Sequence, residues 1–89
     1  MKRTAIISVG QVYLHAELNE YLVVTKANRG NISFAGTGFN GMNEVDTFLE
    51  RFGPVSPDDL DHQETSTLKI LVGNQELLTG WIEREEDEE

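Results

Sequence analysis

The side chains in this chain with the most capacity for chemistry are carboxylates crowded into one short segment. Potential ligands for a divalent cation lie between residues 58 and 64: Asp58, Asp59, Asp61, His62 and Glu64. Oxygen-rich sets with one imidazole bind such cations when their spacing allows it. The spacing here fits neither an EF-hand loop nor an H-E-x-x-H helix. We therefore predict a solvated turn without a metal, in which Ser56 caps a helical turn that begins at Pro57.

A glycine-rich segment is the second candidate for a ligand site. Gly36-Thr37-Gly38-Phe39-Asn40-Gly41 matches G-x-G-x-x-G and lies between a predicted strand and a predicted helix. In a dinucleotide fold such glycines let backbone amides approach a pyrophosphate. Here a β-meander precedes the motif instead of a βαβ unit. Two prolines follow the helix where a second parallel strand would run. We therefore predict a flexible connecting loop and no bound cofactor.

The residue types needed for catalysis are sparse. The chain has no cysteine, and its histidines are His15 and His62. No G-x-S-x-G motif surrounds any serine. Glu50 and Asp58 could form a hydrolytic carboxylate pair, but no sequence pattern brings them together. We predict no catalytic residues and a protein that is not an enzyme.

The charge balance indicates what kind of partner the chain can bind. Sixteen Asp and Glu oppose seven Lys and Arg, for a formal net charge of -9. The surplus is concentrated in the last residues, Glu83-Arg84-Glu85-Glu86-Asp87-Glu88-Glu89. Because cationic side chains supply most nucleic-acid affinity, this composition argues against direct nucleic-acid binding. It favours a cationic partner, or a role in which solubility and like-charge exclusion matter.

The elements that must position these groups are mainly strands. Apolar alternation and turn residues predict strands over 9–14, 21–26 and 31–35, a loop over 36–41, and an amphipathic helix over 43–52 with Asn43 as its N-cap. Two further strands, 67–72 and 75–82, flank a Gly73-Asn74 hairpin turn. Residues 1–82 then form one small β-rich domain, and residues 83–89 form a disordered acidic tail. The chain shows no signal peptide and no membrane span, so we expect a cytoplasmic protein.

The opening strands resemble a known class of small barrels. Val9-Gly10-Gln11-Val12-Tyr13, followed by Tyr21-Leu22-Val23-Val24 and a turn, is similar to the start of SH3-like barrels of the KOW and Tudor type. The resemblance covers roughly residues 6–36. It implies a mainly β (α+β) fold, either a five-stranded SH3-like barrel or a bent meander with one amphipathic helix. An α+β sheet with one covering helix is the alternative. In composition the chain also resembles small acidic bacteriophage accessory proteins that inhibit host enzymes, some as DNA mimics.

These observations favour a non-enzymatic protein-binding module that captures a basic surface of a host protein, as a phage-encoded inhibitor in the host cytoplasm would. The alternative is an SH3-like adaptor or structural component of a phage or bacterial assembly, whose tail serves only solubility. A homodimer could form through an edge at Gln75–Ile82. The predicted partner-binding residues are acidic side chains and two aromatic anchors: Glu44, Asp46, Glu50, Asp58, Asp59, Asp61, Glu64, Glu83, Glu85, Glu86, Asp87, Phe39 and Trp81.

Overall fold

The part of the chain that the structure describes is mainly β, with two α-helices. The structure, a computed structural model, describes residues 2–4, 7–80 and 83–85. In chain order its elements are β1 (Lys2–Thr4), β2 (Gln11–His15), β3 (Glu20–Asn28), β4 (Asn31–Gly36), β5 (Phe39–Glu44), α1 (Val45–Arg51), β6 (Phe52–Val55), a 3-10 turn (Pro57–Asp59), α2 (His62–Leu71), β7 (Leu78–Thr79) and β8 (Glu83–Glu85).

Six of these strands form one mixed, open sheet. One half has the order β6-β2-β7, with β7 parallel to β2, and the other half is the antiparallel meander β3-β4-β5. The two halves meet where the Gly10 N–H donates to the Val24 carbonyl at 2.9 Å. Among the described strands, β5 lies at one border and β6 and β7 at the others, so the sheet does not close. The expected α+β class is confirmed, whereas barrel closure is not.

Strands β2 and β3 are buried on both faces, and this builds two apolar clusters. Successive side chains of a strand point to opposite faces, so Val12 and Val23 lie on one face while Tyr13 and Leu22 lie on the other. The first face is covered by α2 through Leu68. The second is covered by an aromatic cluster to which α1 contributes Phe48. Its members are Tyr13, Leu22, Val24, Ile32, Phe34, Phe48 and Phe52.

The centre of the aromatic cluster holds one buried polar group. Tyr13 is fully buried, and its ring meets Phe48 edge to face with centroids 4.8 Å apart. Its hydroxyl donates to Gln11 Oε1 at 3.1 Å, which satisfies the donor without water. Burial raises the pKa of Tyr13 to about 12. The phenol therefore stays neutral and remains a donor throughout the physiological range.

The glycine-rich segment is not a loop, contrary to the sequence prediction. Thr37 and Gly38 form a two-residue turn, and the rest of the motif extends β4 and begins β5. Two of the glycines are required by packing, because a Cβ on Gly41 would lie 2.9 Å from the Phe34 ring and one on Gly36 would meet Phe39. These glycines make room for aromatic rings across the hairpin. The arrangement differs from a phosphate-binding strand–loop–helix.

The segment predicted as the strand 67–72 is instead the second half of α2. Asp61 accepts from the Glu64 N–H at 2.7 Å and Glu64 Oε1 accepts from the Asp61 N–H at 2.9 Å, which is a capping box. Gly73 and Asn74 have φ of 70° and 65°. They end this helix and do not turn a hairpin. The apolar run that suggested a strand also fits a helix, because Leu68 and Val72, four residues apart, both pack on the sheet.

Two further boundaries differ from the predictions. Helix α1 begins at Val45, and its N-cap is Glu44 in place of Asn43, with no side-chain hydrogen bond at the cap. Asn43 is instead paired with Ile32 in the β4–β5 ladder. The tail predicted to be disordered from residue 83 contributes β8, which pairs antiparallel with β1 in the register Lys2↔Glu85. By contrast, the cap predicted at Ser56 is confirmed, since its Oγ accepts from the Asp58 N–H at 3.3 Å.

We expect Gly80→Ala to destabilise the fold by about 1–3 kcal/mol, because overpacking a closed site forces its neighbours to move. A Cβ at Gly80 would collide with the Val12 carbonyl oxygen and lie 2.9 Å from the Tyr13 ring. Gly53→Ala is the matched control, since a Cβ at Gly53 has no atom within 4 Å. Urea unfolding followed by circular dichroism measures both. Equal stability of the two variants would contradict this account of the β2–β7 contact.

Candidate functional site

Two clefts flank the β2–β3 turn, and both are lined by carboxylates. The first has a volume of about 210 Å³ and is lined by Asn19, Glu20, Tyr21, Thr37, Glu64 and Leu68. The second, of about 220 Å³, is lined by His15, Ala16, Glu17, Glu50 and Arg51. The turn therefore stands between the start of α2 and the end of α1. We call Glu17, Glu20, Glu50 and Glu64 together the acidic end.

Local hydrogen bonds hold the β2–β3 turn in place. The Asn19 N–H donates to the His15 carbonyl at 2.7 Å, and the Leu18 N–H donates to His15 Nδ1 at 3.3 Å. Asn19 adopts a left-handed φ of 55°, which asparagine tolerates better than most residues. The His15 ring is itself held edge-on against Phe52 with centroids 5.0 Å apart. The turn thus presents Glu17 and Glu20 from a backbone anchored to the aromatic cluster.

Charge at the acidic end is poorly compensated. Glu17, Glu20 and Glu50 are exposed and Glu64 is half-buried, while Arg51 is the one cation lining either cleft. Residues 7–80 contain ten carboxylates and four Lys or Arg side chains. Two of those cations, Lys26 and Arg29, lie towards the β3–β4 turn at the other end of the strands. Carboxylates clustered beside clefts make the local electrostatic potential more negative, and this attracts cationic groups.

The lining of the first cleft suits an organic cation. Glu20 and Glu64 provide carboxylate oxygens, and Thr37 and Asn19 provide neutral polar groups. The half-buried Tyr21 adds an aromatic ring and Leu68 an apolar wall. Carboxylates beside an aromatic ring accommodate the flat guanidinium of Arg or the ammonium of Lys. One Glu64 oxygen already accepts from the Asp61 N–H, so Glu20 is the less committed carboxylate.

The cluster between residues 58 and 64 is organised around helix capping. Asp61 and Glu64 bond to each other's backbone amides at the start of α2, and the Thr65 hydroxyl donates to the Asp61 carbonyl at 2.9 Å. Asp58 and Asp59 form the 3-10 turn just before. Within the described residues, no group of three His, Cys, Asp or Glu side chains is close enough to hold a metal ion. Two of the predicted partner-binding carboxylates, those of Asp61 and Glu64, therefore already accept hydrogen bonds from backbone amides of the protein itself.

The structure places the remaining predicted site residues in several locations. Glu50 joins the acidic end, whereas Glu44 and Asp46 lie at the start of α1, where the Val45 N–H donates to the Gly30 carbonyl at 3.1 Å. Phe39 is half-buried at the margin of the aromatic cluster, 6.5 Å from Phe34 between ring centroids. Trp81, Glu86 and Asp87 lie outside the described residues, and Glu83 and Glu85 belong to β8. A role for these residues in partner binding stays a prediction.

Sequence reasoning missed Glu17 and Glu20. Both flank Leu18-Asn19, a segment that separates two strand-forming runs and has the composition of a turn. Acidic residues on either side of a hairpin turn are the signal that could have identified them, because a turn projects its neighbours to one end of the sheet. Their proximity to Glu50 and Glu64 depends on where two helices pack, which no local pattern contains.

Comparison of the chain with protein-family models, with curated proteins and with solved structures found no significant match. Over the part of the chain that is described, no helix has the length and apolar character needed to cross a bilayer.

We expect Asp61→Ala to lower the free energy of unfolding by about 0.5–2 kcal/mol, since it removes the N-cap acceptor of α2. Asp59→Ala, two residues earlier in the 3-10 turn, is the control and should change it by less than about 0.5 kcal/mol. Asp61→Asn should retain most of the stability because asparagine also caps helices. Thermal unfolding by circular dichroism distinguishes the three variants. An unchanged free energy of unfolding for Asp61→Ala would show that the Asp61 carboxylate does not stabilise the start of α2 and is free for other roles.

Proposed function

We propose that the protein is a non-enzymatic binding module that captures a basic surface of another protein through its acidic end. The observation that carries the proposal is the convergence of Glu17, Glu20, Glu50 and Glu64 around one turn, with a cleft on each side. These carboxylates come from the β2–β3 turn and from both helices. The fold therefore concentrates at one end charges that are dispersed along the chain.

Capture would proceed in two steps. Long-range attraction first steers a cationic surface towards the acidic end, which raises the association rate. An Arg or Lys side chain of the partner then enters the first cleft, beside Glu20 and the Tyr21 ring. The first step is sensitive to salt because exposed charges are screened within about 8 Å at physiological ionic strength. The second step fixes the orientation of the partner relative to the acidic end.

A partner that normally holds nucleic acid would fit this chemistry, because its binding surface is built from Arg and Lys. The protein would then compete with the nucleic acid for that surface, which is how a phage-encoded inhibitor acting as a DNA mimic would work. The net charge of -9 supports this reading, since surplus negative charge attracts the same basic surface that a nucleic acid binds.

The acidic end can be tested by charge neutralisation against a matched control. The test variant is Glu17→Gln/Glu20→Gln/Glu50→Gln, and the control is Glu44→Gln/Asp46→Asn/Glu76→Gln, which removes the same number of exposed charges elsewhere. The probe is a fluorescein-labelled peptide of alternating Arg and Gly residues, followed by anisotropy. We expect about tenfold weaker binding for the test variant and less than about threefold for the control.

Two outcomes would contradict the proposal. Equal losses in the two triple variants would mean that only net charge matters and that the acidic end is not a site. Affinity that stays unchanged between low salt and about 0.5 M salt would mean that electrostatic attraction is not the driving interaction.

A second candidate is an adaptor or structural component of a larger assembly, with the acidic C-terminal segment serving solubility alone. The pairing of β8 with β1 favours it, because residues 83–85 then serve the fold, and the solubility role falls to residues 86–89. Deleting residues 86–89 tests whether these carboxylates take part in capture, without removing β8. Capture that includes these carboxylates predicts markedly weaker peptide binding after the deletion, whereas capture through the acidic end alone, or a solubility role for the segment, predicts little change. The same titration at low salt measures both.

A further inference from the structure

The described strands leave one long sheet edge unprotected. At the β2 side of the sheet, β6 carries Pro54, which cannot donate a ladder hydrogen bond, and β7 has only two residues. The β1–β8 ribbon has three residues in each strand. Strand β5, in contrast, has six residues with no proline, no lysine and no break in its register with β4. Natural proteins block such edges with those devices, because an open edge pairs with another strand.

The free edge of β5 has a defined set of backbone groups. The two-residue turn at Thr37–Gly38 makes Gly36↔Phe39 a closely hydrogen-bonded pair. Hydrogen-bonded pairs alternate along an antiparallel ladder, so Phe39, Gly41 and Asn43 direct their N–H and C=O groups to β4. The backbone groups of Asn40, Met42 and Glu44 then point to the open side. These same three residues have exposed side chains, and Met42 is 62% exposed.

We infer that β5 is a homodimer interface, in which two copies pair antiparallel about a two-fold axis at Met42. This register places Met42 opposite Met42 of the second copy, and Asn40 opposite Glu44 in both directions. Every outward backbone group then has a partner. The exposed thioether chains bury each other, and the amide of Asn40 can donate to the Glu44 carboxylate.

A second copy of the chain is the occupant because it offers a β5 edge of the same length, with Asn40 and Glu44 in complementary positions, and charge sets this register. Glu44 is the one charged residue of β5, and the two-fold at Met42 keeps it away from its own copy. Four residues of strand separate the two Glu44 side chains along the sheet, or about 13 Å, which exceeds a Debye length of about 8 Å. The turn at Thr37–Gly38 lies beside the acidic end. Antiparallel pairing therefore sends the two acidic ends in opposite directions, which limits their repulsion.

Sedimentation velocity of the full chain, from about 10 µM to about 1 mM, tests the interface. We expect a reversible dimer with a dissociation constant on the order of 100 µM, as suits a small interface. Met42→Lys puts two ammonium groups opposite each other and should weaken the dimer at least about tenfold. Ile70→Lys is the matched control, because Ile70 is 67% exposed on α2, and it should dimerise as the wild type does. Circular dichroism confirms that each variant folds.

Mixing two charge variants provides the sharper measurement. Met42→Glu should also be monomeric, and an equimolar mixture with Met42→Lys should dimerise again, because the two-fold position then holds opposite charges. A wild-type chain that remains monomeric at about 1 mM would overturn the inference. So would equal effects of Met42→Lys and Ile70→Lys, or a mixture that fails to associate.

The register has its own test because the chain has no cysteine. Hydrogen-bonded antiparallel partners have Cα atoms about 5.5 Å apart, within the range that a disulfide spans. Met42→Cys should therefore form a disulfide-linked dimer on mild oxidation, whereas Ile70→Cys should not. Equal rates of cross-linking for the two variants would exclude pairing at Met42.

Discussion

Burial of β2 and β3 on both faces is the constraint on which the rest of the molecule depends. A small domain has few positions that are shielded from water on all sides, and here they are concentrated in two adjacent strands. Val12 and Tyr13 face opposite clusters, as do Val23 and Leu22. Each strand therefore requires a cover on two sides. Helix α2 supplies one cover, and the aromatic cluster around α1 supplies the other. The position of both helices, and of the carboxylates they carry, follows from this requirement.

The aromatic cluster shows how glycine shapes the sheet. Phe52 meets Phe34 and Phe48 edge to face, with centroids 4.9 and 4.7 Å apart, and the Phe34 and Phe48 rings are tilted against each other at 5.8 Å. Rings of that size fit between β4 and β5 because Gly41 has no side chain opposite Phe34. Glycine weakens a strand because its backbone loses much conformational entropy on folding. Here the packing of the ring that covers Gly41 offsets that cost. The G-x-G-x-x-G pattern is thus a packing feature of a hairpin.

Local signals predicted the first three strands of the sheet, and packing decided much of the remainder. The runs at 9–14, 21–26 and 31–35 correspond to β2, β3 and β4. They were predictable because runs of β-branched and aromatic residues are bounded there by turn residues. The segment 67–72 was wrongly predicted as a strand because apolar runs on both sides of Gly73-Asn74 are typical of a hairpin. The Asp61-x-x-Glu64 capping box was the stronger signal for a helix. Of the acidic end, Glu50 and Glu64 were predicted individually. Their proximity to Glu17 and Glu20 requires the tertiary fold.

The pairing of β1 with β8 has a consequence for how the chain can be connected to other molecules. Lys2 and Glu85 are register partners, so the two described extremities of the chain emerge as neighbours on the same flank. Adjacent extremities are the condition under which a domain tolerates circular permutation or insertion into a surface loop of a carrier. A carrier would need to separate its own backbone by only one interstrand spacing, about 5 Å, to accept this domain. The module can thus be displayed on a scaffold by two anchoring points instead of one.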